Sequence, residues 1–465
     1  MKAVWVALLL LAGCAAVPQD RGFEAVRRDL EARAGTVPPW NRQLSDEGTA
    51  PAPVPELLRQ ELTADRAVQI ALLNNRRVQA VYEEVGVAHA DLVQAGLLAN
   101  PVLAASVRWE DGGSPAIELA VAESFLGIFA IPLRQRLAAA ELALAQRRVV
   151  GAVLDLAWEV RATFLRYQTE LEQLALGRRL VASAELAAEI ARRLHAAGNL
   201  TDLDLARERA MAAGVRLDFA EAEQAVAAGR ERLNGLLGLF GEDTAWRAAP
   251  LPQLPAADPE PAQVERRAIE ASLDLGIARH RAAVAAERLG SGRLQQLLDG
   301  AGLGADLQRE AGEWSAGPAV EVAVPIVDWG QGPAMAAEAE LRGSWREYTA
   351  MAVEVRAAAR AAAQRLMAAR QRARYCATVL VPLHETITSE TLLALNAMQI
   401  GPADLLAAQR QETQARRQAV AALGDYWLAR AELEQILNGR LPPAAGMEPA
   451  MGARPAPGSG GSAGH

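Results

Sequence analysis

Residues 149–174 read VVGAVLDLAWEVRATFLRYQTELEQL. Val149, Val153, Leu156, Val160, Phe164, Tyr167, Leu171 and Leu174 recur there at spacings of three and four. That is the period of one face of an α-helix, and the stripe has the width of a coiled-coil seam. The pattern predicts one helix from about Pro132 to Ala197. At 1.5 Å per residue, about 65 residues reach roughly 100 Å. Such a helix cannot sit in a compact ball. It belongs to a rod, a bundle or a tube.

The same element recurs from about Pro333 to Ala397. The repeat has a period of about 200 residues, far longer than a solenoid unit. Each half reads as a helix, an alternating segment marked by Pro and Gly, a very long helix, a short break and a final helix. The first half covers residues 62–240 and the second 259–438. The linker 241–258, rich in proline and continuing into Pro259-Glu260-Pro261, divides them. The opening helix is predicted from Leu62-Thr63, with Thr63 as its cap, to about Leu98, ending before Asn100-Pro101.

Composition agrees with long helices. Of 465 residues, 51% are hydrophobic but only 4% aromatic, and alanine and leucine alternate with Arg, Glu and Gln. A net charge of -8 gives no reason to expect a nucleic-acid partner.

The long helices break at matched places, Ala197 to Asp202 and Gln399 to Asp404. Gly198 suits a left-handed C-cap, and Thr201 or Asp202 can cap the next helix. In Gly401-Pro402, glycine is expected to end one helix and proline to open the next. Each break reads as the tip of an antiparallel helical hairpin.

Between the helices of each half the period changes from 3.6 to two. Leu103, Val107 and Trp109 alternate with Ser106 and Arg108, and Ile117, Leu119 and Val121 with Glu118. In the second half Val320, Val322, Val324 and Ile326 alternate with Glu321 and Ala323, preceded by a poorly patterned stretch near Ala305 to Trp314. Strand hairpins are therefore expected at about 102–125 and 305–326. Apolar-out, polar-in strands of about ten residues are the signal of a membrane β-barrel. Four strands cannot close a barrel, and open edges in lipid leave backbone groups unpaired. Strands in a membrane would have to be pooled from several chains, and three chains would make a barrel of about 12. A small soluble sheet is the alternative.

The N-terminus reads as a targeting segment, residues 1–13. Lys2 precedes an apolar run from Ala3 to Leu11, and Leu11-Ala12-Gly13-Cys14 comes next. The run is too short to span a bilayer. The placement of Cys14 resembles a bacterial lipobox, which implies lipid on its sulfur after cleavage. Ala15 in second place implies sorting to the outer membrane. Residues 14–61 are then a lipidated linker with a short helix near Phe23 to Ala34, and 439–465, rich in Pro, Gly and Ala, read as a disordered tail. With Cys14 modified, Cys376 has no disulfide partner.

Catalytic groupings are not found. The five histidines, His89, His195, His280, His384 and His465, are scattered, and none has a His or Cys at metal-ligand spacing. Gly300, Gly302 and Gly304 do not complete a dinucleotide loop. No metal site, no cofactor beyond the lipid on Cys14 and no enzymatic activity are expected.

Taken together, the duplicated order, Leu62-Thr63, Asn100-Pro101, the exit Val324-Pro325-Ile326-Val327-Asp328-Trp329-Gly330, the first tip Gly198-Asn199-Leu200-Thr201-Asp202-Leu203-Asp204 and the second tip Asn396-Ala397-Met398-Gln399-Ile400-Gly401 resemble the TolC-like outer membrane factors. The second tip is similar to branches linked to heavy-metal efflux. Val327 stands where the family often has phenylalanine. The resemblance implies a mainly α fold with membrane β structure. Duplicated helical hairpins form a trimeric periplasmic α-barrel topped by a 12-stranded outer-membrane β-barrel, four strands per chain. It implies a passive exit duct of a tripartite efflux or type I secretion system, in the outer membrane and reaching into the periplasm. The implied partners are two further copies, a periplasmic adaptor, an inner-membrane pump and outer-membrane lipid. Adaptor contact would fall on Gly198, Asn199, Leu200, Thr201, Gly401, Pro402, Ala403 and Asp404, and an acidic constriction on Asp202, Asp204 and Asp404. A soluble coiled-coil tethering lipoprotein is the competing reading. It would need no barrel, and a monomer or dimer would suffice; the third reading, a periplasmic adaptor, would carry one helical hairpin flanked by β-rich domains rather than two full copies.

Overall fold

The computed structural model describes residues 22–35, 40, 53–98, 100, 102–108, 116–123, 127–257, 263–299, 301–310, 313–322 and 330–442. In chain order the first half contains α1 (Phe23–Ala34), α2 (Pro53–Leu58), α3 (Ala64–Asn74), α4 (Arg76–Ala95), β1 (Val102–Arg108), β2 (Ala116–Glu123), α5 (Gly127–Ala196) and α6 (Asp202–Leu237). The second half repeats this order with α7 (Val264–Ala271), α8 (Leu273–Asp299), β3 (Ala301–Glu310), β4 (Glu313–Val322), α9 (Gln331–Tyr375), a π turn (Cys376–Leu380), α10 (Val381–Asn396) and α11 (Pro402–Leu437).

The expected opening helix is two helices. Thr63 caps the first, its Oγ1 accepting from the Arg66 N–H at 3.3 Å. Asn75 then leaves the helical region, with ψ 115°, and its side-chain oxygen accepts from the Arg77 N–H at 2.8 Å. Tertiary bonds hold the break: Asn75 Nδ2 donates to Leu236 O, and Asn74 Nδ2 to Leu237 O and Gly238 O. Gly238 has φ +69°, and a Cβ there would lie 2.9 Å from Asn74 O. The second half repeats the device. Ser272 breaks α7 from α8, and Leu273 N–H donates to the carbonyl of Gly439, which has φ +97°. In both halves the break docks on the last turn of that half's final helix.

The long-helix stripe is core. Val149, Val153, Val160, Phe164 and Tyr167 are buried, with Leu156 and Leu171 partly so. Phe164 and Tyr167 meet Leu62, Ile70, Leu233, Leu237 and Trp246 in one cluster. Val149 and Val153 meet Val26, Leu30, Tyr82 and Leu273 in a second, which draws α1 onto α4 and α5. A third joins α7, α9 and α11 through Val355, Leu366, Tyr426 and Ile436. Hairpin α5–α6 and hairpin α10–α11 pack through α5 and α11. Gly424 permits this contact, because a Cβ there would collide with the Thr169 side chain.

The linker is a strap across all four helices. Arg230 of α6 donates to Thr244 O and Trp246 O, and its guanidinium lies 4.5 Å from the Trp246 ring centre. Gln168 of α5 donates to Ala249 O at 2.7 Å, and Glu172 accepts from Leu251 N–H. Trp427 of α11 donates to Pro252 O at 2.8 Å, and Arg370 of α9 to Pro255 O and Ala256 O. Proline-rich backbone has carbonyls without matching N–H groups, so side-chain donors from the helices satisfy it.

An ion cluster closes the chain onto this level. Arg440 holds Asp155 of α5 at 3.0 Å through Nε and also binds Asp274 of α8. Burial pushes the Asp155 carboxyl up, and the hydrogen bond and charge of Arg440 oppose that shift.

The second-half strands differ from expectation. Instead of a strand over 305–314 and another over 320–326, β3 begins at Ala301 and β4 at Glu313. Trp314 is thus the second residue of β4, and Gly317-Pro318 lies inside it rather than marking its start. Val324, Ile326 and the exit to Trp329 lie outside the described residues, as do Trp109, Cys14 with the leader, and the tail from 443. The second long helix also differs: the π turn interrupts it at Cys376. Among the described residues, no helix is long and apolar enough to cross a membrane.

Candidate functional site: the sheet and the two hairpin tips

The four strands form one antiparallel sheet in the order β1-β2-β3-β4. The two hairpins, about 180 residues apart in the duplicated chain, therefore pair directly through β2 and β3. Register sorts their residues into rows. Ala105, Leu119, Leu307 and Ala316 align, as do Ser106, Glu118, Gln308 and Ser315 in the next row. Directly paired residues share a face and neighbouring rows lie on opposite faces. One face is thus rich in apolar residues and the other in polar ones. Ser106 Oγ donates to Glu118 Oε2 at 3.2 Å along the polar row, while Val107, Leu119 and Trp314 of the opposite face are exposed. The third strand has weak alternation in sequence because small residues fill it. Pairing with β2 puts Ala305 and Leu307 opposite Val121 and Leu119, while Leu303 lies opposite Glu123 and Arg309 opposite Ile117. Among the described residues, β1 and β4 each have one edge without a partner strand.

At the opposite end lie the tips. The first is a Schellman turn: Gly198 N–H donates to His195 O and Asn199 N–H to Leu194 O, with Gly198 at φ +79°. Thr201 is the cap of α6, accepting from the Asp204 N–H at 3.2 Å and donating to Asp204 Oδ2 at 2.7 Å. Asp202 occupies the first helical position rather than the cap. Its carboxylate lies 2.7 Å from His195 Nε2 and is 97% exposed. Asp204 also pairs with Arg207 at 3.1 Å.

The second tip repeats the turn 200 positions later. Met398 N–H donates to Leu395 O and Gln399 N–H to Ala394 O. The left-handed residue is Met398, at φ +60° and 92% exposed. This corrects the expectation for Gly401, which does not end α10. It is the cap of α11 with φ −88°, and its N–H donates to Asp404 Oδ2 at 3.1 Å. Pro402 opens α11, where a missing N–H costs nothing. Gly198 corresponds to Met398, Thr201 to Gly401 and Asp204 to Asp404. Leu200 lies within the first turn, and Ala403 is the second residue of α11. Sequence reasoning missed Met398, whose identity does not announce positive φ; its distance of 200 from Gly198 was the available signal. It missed the His195–Asp202 pair as well, and the Arg410–Glu208 pair at 3.3 Å that ties the two hairpins just above the tips.

On α5, approaching the first tip, Arg192 and Arg193 hydrogen-bond the exposed Glu189 carboxyl and hold it down at about 2. Asp202, Asp204 and Asp404 each have a local partner within their own tip. Among the described residues, no group of three or more His, Cys, Asp or Glu side chains is arranged to hold a metal ion.

No family model matches the chain. A cobalt-zinc-cadmium resistance protein, CzcC of Cupriavidus metallidurans, is 26% identical over 402 residues, covering 85% of this chain and 94% of that protein. The crystal structure of a membrane protein from Pseudomonas aeruginosa superposes with a TM-score of 0.67 at 17% identity, over 87% of this chain and 98% of that one. The CmeC outer membrane channel of Campylobacter jejuni superposes with a TM-score of 0.65 at 13% identity, over 88% of this chain and 94% of that one. A two-faced sheet with open edges, duplicated rod-length hairpins and these full-length likenesses agree on one architecture, and the fold of this chain is that of the TolC-like outer membrane factors.

Proposed function

We propose that this chain is the outer-membrane exit duct of a tripartite efflux system, a passive channel rather than an enzyme. The observation that carries the reading is the open four-stranded sheet with one apolar and one polar face. Such a sheet cannot lie in lipid alone, because its unpaired edges would each cost several kcal/mol per backbone group. Three copies joined edge to edge close a barrel of about 12 strands, with the apolar rows toward lipid and the row of Ser106 and Glu118 toward the lumen. The helical hairpins then line a tunnel through the periplasm. Transport energy comes from an inner-membrane pump, and the duct supplies a path.

The tips Gly198, Asn199, Leu200, Thr201, Gly401, Pro402, Ala403 and Asp404 are the contact for a periplasmic adaptor. Asp202, Asp204 and Asp404 form an acidic ring where the tips converge. Lipid on Cys14 adds an anchor, which alone would hold only moderately. The relative named for cobalt, zinc and cadmium resistance favours heavy-metal ions as the cargo class. No metal-holding cluster in the described part of this chain is needed for that reading, since the pump can select the ion.

The test is the native mass of the detergent-extracted outer-membrane protein, with conductance in planar bilayers. A trimer that conducts supports the reading. A stable monomer released by mild washing overturns it and leaves the tethering rod.

A further inference from the structure

The N-terminal helix α1 is fastened at both ends. At its start the Gly22 carbonyl accepts from Gln146 Nε2 of α5 at 2.8 Å. Along its length Val26 and Leu30 are fully buried, in the cluster that holds Tyr82 of α4, Val149 of α5 and Leu273 of α8. Phe23 meets Tyr82 edge-on, with ring centres 4.9 Å apart. At its end Arg33 donates to two carbonyls of the second half, Ala271 O at 2.7 Å and Asn438 O at 2.9 Å. Ala271 is the last residue of α7, and Asn438 caps α11. Carbonyls there have no partner inside their own helix, so one guanidinium satisfies two helix ends. All of these contacts lie within one chain, and a second copy does not replace them.

The contacts also orient α1. Gly22 is level with Gln146 of α5, and Arg33 with Asn438, two residues before the Arg440 that binds Asp155 of α5. The helix therefore runs parallel to α5 and away from the sheet, with its N-terminus on the sheet side. The stretch of α5 from Gly127, where it begins, to Gln146 is about 28 Å long. From Cys14 to Gly22 a fully extended chain reaches at most about 26–29 Å. The two lengths match.

We propose that residues 14–21 are a tether without slack. Lipid on Cys14 holds one end at the inner leaflet, and α1 fastens the other to both halves of the chain. The tether sets how far the helical rods hang below the membrane. A pull on the lipid is passed to the break between α7 and α8 and to the end of α11. A longer linker would anchor the protein as well, so the match constrains one direction: shortening breaks it and lengthening does not. The membrane end rests on the duct and lipid readings above; the docking of α1 does not.

The experiment reads amide exchange of residues 23–34 in the full-length, lipidated trimer held in bilayer nanodiscs. Deleting residues 17–19 removes about 10 Å of reach. Lipid and dock then cannot both be kept, and exchange across α1 is expected to rise at least about tenfold. Three Gly or Ser residues in place of 17–19, or six inserted after Ala16, are expected to leave exchange at the parent's rate. The same deletion with Cys14→Ser, exported behind a leader that lacks the lipobox, is expected to restore that rate. Slow exchange in the lipidated deletion variant overturns the tether, as does fast exchange that persists without the lipid. Mass spectrometry of the parent checks the membrane end, and an unacylated Cys14 also overturns it. Conductance of the parent in planar bilayers separates the two readings. A conducting parent whose deletion variant keeps α1 docked removes the tether alone. An acylated parent that never conducts removes the duct, while lipid-dependent loss of docking still supports the tether.

Discussion

At the residue scale, two positions 200 apart in sequence perform the same backbone task with different side chains. Gly198 and Met398 both sit at positive φ in a Schellman turn. For a side chain with a Cβ that conformation costs about 1–2 kcal/mol. Gly198→Ala is therefore expected to destabilise by about 1 kcal/mol. Met398→Gly relieves strain but loosens the unfolded chain, so its net effect is expected within about 0.5 kcal/mol of zero. Calorimetric melting of the two variants checks this: the midpoint falls for the first and not for the second. A strained, exposed methionine at a tip suggests retention for contact rather than stability. Arg440 is a different case. It neutralises Asp155 and Asp274 together, and Arg440→Met leaves two partly buried carboxylates facing each other. A loss of about 3–5 kcal/mol at neutral pH is expected. Burial and the Asp274 charge already raise Asp155, and without Arg440 its opposing hydrogen bond and charge are lost, leaving the longer Gln435 hydrogen bond. The folded variant then binds a proton more readily than the unfolded chain, so its stability rises as pH falls into the carboxylate range. Melting the variant at stepwise lower pH tests the sign; a further loss in that window contradicts the account.

At the element scale, the two hairpins of one chain are set by how closely α5 and α11 approach. Gly424 faces Thr169 with no room for a Cβ. Gly424→Ala is expected to cost about 1–3 kcal/mol through overpacking. Adding Thr169→Ala should recover most of it, because the two nearest contacts are Thr169 Oγ1 and Cγ2, which alanine lacks. A double-mutant cycle on melting free energy measures the coupling, and strict additivity would place the contact elsewhere. Much at this scale was legible beforehand. The stripe from Val149 to Leu174 announced α5, and Thr63 and Thr201 announced caps that the hydrogen bonds display. The break at Asn75 was not legible, because Asn75 bonds the Leu236 carbonyl 161 residues away and Asn74 bonds those of Leu237 and Gly238. Nor was the π turn. Pro382 could equally have kinked or ended the helix, and which relief the chain takes depends on what α11 offers beside it.

At the scale of the whole molecule, the sheet decides what the rods are for. If its polar rows line a lumen, Glu118→Lys changes ion selectivity toward anions while leaving assembly intact. Leu119→Arg, one residue along, puts a charge toward lipid and is expected to cost about 2–4 kcal/mol per chain near the bilayer midplane. Reversal potentials in salt gradients report the first variant, and the yield of detergent-stable oligomer the second. Equal behaviour of the two neighbours would contradict a two-faced barrel wall. The strap of residues 244–256 divides the molecule mechanically, with α6, α5, α11 and α9 held at one level. Motion is therefore expected below it, toward the tips, and hydrogen exchange along α10 should exceed that along α9.

The sequence by itself determined the period of each element: a 3.6-residue stripe for the rods, a two-residue alternation for β1 and β2, and a duplication visible because each half must bury the same faces. These are local consequences of where apolar side chains lie along a backbone of known geometry. Only the tertiary structure decided the pairing of β2 with β3, the exact ends of β3 and β4, the break at Asn75 and the left-handed Met398. Each depends on a partner far along the chain or on a turn that must close at a set place. Strand alternation is silent about register when the residues are as small as those of β3, and a neighbouring strand has to supply it.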